Sequence, residues 1–95
     1  MVASKQAMDS RLEEKDGIEF LLTELRTGLT FARVALGADP FDTDKKTRNR
    51  DNARTAYNTV LKFRPRVKLS DSANQALEAE LHTLRAALRE LGEPI

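Results

Sequence analysis

The sequence predicts an all-α fold, a three-helix antiparallel bundle running up, down and up. Apolar residues recur at spacings of three and four over separate stretches of the chain, the period of a helix buried along one side. Those stretches are divided by Gly37, Pro40 and Pro65, residues that end helices. No run alternates with period two for long enough to make a strand. The 95 residues make one domain, and short links leave sequential helices antiparallel.

Each element follows from its own residues. Residues 1–15 read as a polar N-terminal tail, either a frayed helical turn carrying Met8 and Leu12 or a disordered segment. The bundle occupies residues 16–95. Helix one is expected over about 17–37, opened by Asp16 and Glu19 at capping-box spacing. Its stripe is Ile18, Leu22, Leu25, Leu29, Ala32 and Leu36. Gly37 serves as the residue after its end, and Phe41 in the following link is a plug for the end of the bundle. Helix two is expected over about 45–64 with Asp44 as its N-cap. Its stripe is Ala53, Ala56, Tyr57, Val60, Leu61 and Phe63, and Pro65 stops it. Helix three is expected over about 71–91, capped by Ser70 or Ser72. Leu77, Leu81, Leu84, Leu88 and Leu91 follow at heptad spacing, and Gly92 and Pro94 end it.

Composition narrows the function. The chain has no Cys, which excludes disulfides, thiolate metal sites and Cys nucleophiles. Its one histidine, His82, is expected on an exposed helix face, and no HExxH or acidic-loop spacing accompanies it. No metal and no cofactor are therefore expected. There is no glycine-rich phosphate loop and no nucleophile motif, so no enzyme is expected. The first sixteen residues lack an apolar signal core and no apolar stretch is long enough to span a bilayer. The expectation is a cytoplasmic protein without a membrane partner.

The net charge of +1 hides a segregated pattern. Residues 1–44 carry −4, residues 45–68 carry +8 and residues 69–95 carry −3. One reading is internal compensation, with a basic middle helix paired to acidic neighbours. The other is an anion site on Lys45, Lys46, Arg48, Arg50 and Arg54, which crowd the start of helix two. The backbone N–H groups there already carry partial positive charge, and a bound anion would relieve the repulsion. Nucleic acid is the polymeric candidate; the near-zero net charge and the lack of aromatics interleaved with the basic block count against it.

Two further groups sit oddly on the helical wheels. Lys46, Asn49, Arg50 and Arg64 fall within about 60° of the helix-two stripe, and Glu80 falls inside the leucine stripe of helix three. Glu80 is expected to accept from the Tyr57 hydroxyl or from an arginine of helix two, or else to extend its stem to water. Phe20, Phe31 and Val34 lie off the main stripe of helix one, on the side of Thr23, Thr27 and Thr30. This outer patch reads as a contact surface, covered by Met8 and Leu12 of the tail or by another chain.

Ala53, Tyr57, Val60 and Pro65 are similar in order and spacing to the second helix of a tetratricopeptide repeat. Gly28 and Phe31 resemble the small-then-aromatic pair of its first helix. The chain departs from that repeat in its longer connection and its leucine-heptad third helix. In outline, residues 17–92 resemble the three-helix hairpins of the microtubule-interacting and transport family. The resemblance implies peptide or helix binding without catalysis. The expected function is therefore a small helical interaction module, bound to a protein partner or to itself as a homodimer. The alternative is an anion or nucleic-acid binder working through the basic start of helix two.

Overall fold

A computed structural model describes the backbone of residues 2–95 and the side chains of residues 15–95. Three helices follow one another: α1 (Val2–Gly37), α2 (Thr43–Phe63) and α3 (Asp71–Glu90), with a 3-10 turn at Arg64–Arg66 between the last two. No strand occurs among the described residues. Gly17 of α1 faces Val67 while Gly28 faces Ala56, so α2 runs against α1. Arg64 reaches Glu78 while Arg54 reaches Glu93, so α3 reverses again. The expected all-α, up-down-up bundle is the observed fold.

The start of α1 differs from expectation. The helix runs unbroken from Val2, so Asp16 is an interior helical residue and not a cap. Residues 2–15 contain neither Gly nor Pro, and nothing in their chemistry stops the helix. At about 1.5 Å per residue a helix of this length spans ~54 Å, which accounts for the 61 × 22 × 17 Å shape. The radius of gyration is 16.2 Å, against ~12 Å for a compact chain of this size.

The buried stripe of α1 is also turned from the expected one. Leu21, Leu25, Gly28, Ala32 and Ala35 face the core, whereas Ile18, Leu22 and Leu29 are half-buried and Leu36 is exposed. The reason is close approach. A Cβ on Gly28 would stand 2.9 Å from Ala56 Cβ and 3.0 Å from Leu84 Cδ2. Three helices meet at that point, and only small residues let them.

Ala53, Ala56, Tyr57 and Val60 of α2 are buried as expected, and so are all five leucines of the α3 heptad. Leu61 is exposed and Phe63 half-buried. The N-cap of α2 is Asp42, not Asp44: its side chain accepts the Lys45 N–H at 3.1 Å. Ser70 caps α3 by accepting the Ala73 N–H at 3.2 Å. At the far end Glu93 N–H donates to the Leu88 carbonyl across Gly92. Gly92 has φ +92°, a left-handed conformation that favours glycine. Gly37 has no such angle; it is the last residue of α1. Phe41 does not plug the bundle, being 94% exposed.

Candidate interaction site

The α1–α2 face carries the largest aromatic exposure close to the bundle. Phe20 sits on the α2 side of α1 and meets Phe63 edge to face, with ring centroids 5.9 Å apart. Phe20 remains 43% exposed. Lys62 Nζ and Arg66 Cζ each stand 5.5 Å from the Phe63 centroid, within cation–π range. The placement follows from helical spacing: Phe63 lies three residues past the buried Val60, which puts it at the flank of the α2 stripe. Neither Lys62 nor Arg66 has a carboxylate within ion-pair distance among the described residues.

The expected patch is thus brought together only in part. Phe20 and Val34 are exposed, but Phe31 is half-buried and packs on the core. Its partial burial accompanies the turned stripe that brings Gly28 and Ala35 inward. The cover expected from Met8 and Leu12 rests on side chains that lie outside the described residues; the backbone there is helical and continuous with the rest of α1. Phe63 is half-buried and packs on the core, as the sequence reading assigns it, while Lys62 and Arg66 beside it are exposed. The signal for them was present: an aromatic at the flank of a stripe with cations beside it and three residues on.

The basic start of α2 divides into two groups. Lys45, Lys46 and Arg48 are exposed and form no ion pair among the described residues. Arg50 and Arg54 instead converge on Glu93, just beyond α3. Arg54 Nη1 donates to Glu93 Oε2 at 3.2 Å, and Arg50 Nε lies 3.6 Å from Glu93 Oε1 and 3.7 Å from Asp51 Oδ1. Glu93 is 18% exposed. The five cations therefore do not form one open anion surface.

The polar pair Tyr57 and Glu80 is corrected as well. Glu80 accepts from Arg26 of α1, with Nη2 to Oε1 at 3.2 Å, and its hydrogen bonds among the described residues do not reach Tyr57 or α2. The Tyr57 hydroxyl accepts from Arg85 Nε of α3 at 2.9 Å. Glu80 lies on the α1 side of the leucine stripe, where Arg26 is the cation in reach. Arg64 bonds Asn74 at 2.8 Å and also pairs with Glu78. Long polar side chains thus bridge α2 to α3, while small apolar ones join α1 to α2. Internal compensation of charge is realised between α2 and the α3 end of the chain.

His82 is exposed. No group of three or more His, Cys, Asp or Glu that could hold a metal occurs among the described residues. Among them no helix is long and apolar enough to cross a membrane. Comparison with protein-family models, with curated proteins and with solved structures finds no match to this chain.

Proposed function

We propose that this chain is a non-catalytic helical interaction module that binds a partner helix or a second copy of itself through the α1–α2 face. The observation that carries this reading is the half-open Phe20–Phe63 pair flanked by Lys62 and Arg66. Aromatic rings bordered by arginine are the surface type enriched at protein interfaces. The sequence resemblance at Ala53, Tyr57, Val60 and Pro65 to a helix of a peptide-binding repeat points the same way. Anion binding by the start of α2 is the weaker reading, because Glu93 already engages Arg50 and Arg54.

A photo-crosslinking residue in place of Phe20 tests the proposal, with one in place of His82 on the outer face of α3 as control. Crosslinks to protein from position 20 and none from position 82 are expected. Equal yields from both positions, or none from position 20, sink the reading. Replacing Lys45, Lys46 and Arg48 together by Ala leaves that crosslink unchanged if the α1–α2 face is the site.

A further inference from the structure

The link between α1 and α2 displays an aromatic side chain that nothing in the bundle holds. Phe41 is the most exposed of the large apolar residues among those described, and it stands on a braced turn. Its N–H donates to Asp39 Oδ1 at 2.9 Å. The Asp42 N–H donates to the Asp39 carbonyl at 2.9 Å, and the Asp42 side chain caps α2. Pro40 fixes one further backbone angle. Asp39, Asp42 and Asp44 surround the ring in sequence, so the loop is a stiff aromatic knob with an acidic border. The Phe20–Phe63 pair is its complement: a half-open aromatic surface bordered by two cations that form no ion pair among the described residues.

We propose that these two surfaces bind each other between copies of this chain, the Phe41 loop of one molecule docking against Phe20, Phe63, Lys62 and Arg66 of the next. This rests on the self-association branch of the proposed function and gives it a geometry. A single molecule cannot close the contact, because Phe41 precedes the first turn of α2 and Phe63 ends it. The 21 residues of α2 separate them by ~30 Å. The contact is therefore heterologous, and it builds open chains or rings, not a two-fold dimer. One knob and its rim bury less than ~1,200 Å², the range of weak encounters. The braced loop limits the ordering cost of binding. Lys45 and Lys46 follow the aspartates within a turn, so the loop tip, and not the helix behind it, makes the contact.

Sedimentation velocity over a micromolar-to-millimolar concentration series tests the proposal. The wild-type mass is expected to rise with concentration. Phe41→Ser is expected to weaken association by more than about tenfold, with its melting temperature unchanged because the ring lies outside the core. Lys62→Glu with Arg66→Glu is expected to do the same from the other surface. An equimolar mixture of these two variants retains one intact knob and one intact patch, and forms a capped dimer and nothing larger. A wild type that stays monomeric throughout overturns the proposal. So does a Phe41→Ser variant that associates like wild type, or a mixture that stays monomeric. Crosslinks from position 20 to a different protein, with a monomeric wild type, overturn head-to-tail assembly and leave the interaction module standing. Loss of those crosslinks removes both.

Discussion

Glycine at position 28 sets how closely the three helices approach. Its missing side chain admits the Ala56 methyl and Leu84 at separations that a Cβ would bring to 2.9 and 3.0 Å. The leucine can rotate, but the alanine Cβ moves only with the α2 backbone. Gly28→Ala therefore gains up to about 1 kcal/mol of helix propensity and loses about 1–3 kcal/mol to overpacking. A net loss of stability in urea unfolding is expected. Gly37→Ala is the matched control, since nothing lies within 4 Å of a Cβ there. It is expected to stabilise by about 0.5–1 kcal/mol. If Gly28→Ala matched Gly37→Ala in sign, close packing would not be what holds position 28 to glycine. The same residues explain why the α1 stripe was only partly legible. Size marks Leu22, Leu29 and Leu36 as core, but the seam with α2 is narrow and takes Gly28, Ala32 and Ala35. Ala53 and Ala56 opposite them were the signal that small residues would face inward.

Helix boundaries were legible where a side chain closes the end and illegible where none does. Ser70 and Gly92 frame α3 through contacts that their residue types prefer. The link is rich in aspartate, and by residue type Asp42 and Asp44 are equally fit to cap; the bond to the Lys45 N–H decides for Asp42. Ser70→Ala and Asp42→Ala are each expected to cost about 1 kcal/mol by chemical denaturation. The Asp42 change costs the more of the two. Its carboxylate also offsets the helix dipole beside Lys45 and Lys46, a charge that the Ser70 hydroxyl does not carry. Equal costs would mean that charge at this terminus contributes nothing. Asp16 shows the opposite failure. Its capping-box spacing with Glu19 marks a start only if the preceding residues leave the helix, and residues 2–15 hold no breaker. The exposed interface was half legible for a related reason. Phe20 lay off the stripe by spacing alone, but its partner Phe63 came from another helix, and which flank of α2 faces α1 is decided by packing of the whole bundle.

At the scale of the molecule, α1 is the shared helix and the other two are joined to each other by polar bridges. Leu21, Leu25, Leu77, Leu81, Leu84, Leu88 and Val60 are the large side chains wholly withdrawn from water. Leu84 lies where α1, α2 and α3 converge. The bridges from Arg54, Arg64 and Arg85 to Glu93, Glu78 and Tyr57 lie nearer the surface. Such bonds add about 1 kcal/mol or less each once exposure and salt are counted. Segregated charge was plain in the sequence, but its pairing was not, because Glu93 lies beyond the end of α3 and meets Arg50 and Arg54 only through the Gly92 turn. The two seams therefore predict unequal costs. Leu84→Ala is expected to cost about 3 kcal/mol, a large share of the ~5–15 kcal/mol typical of a domain. Glu93→Gln, which keeps shape and removes charge, is expected to cost about 1 kcal/mol or less, and less again in high salt. Equilibrium unfolding of both variants at low and high salt checks the pair. A Glu93→Gln loss as large as that of Leu84→Ala would make the polar seam, and not the junction at Gly28, the main support of the bundle.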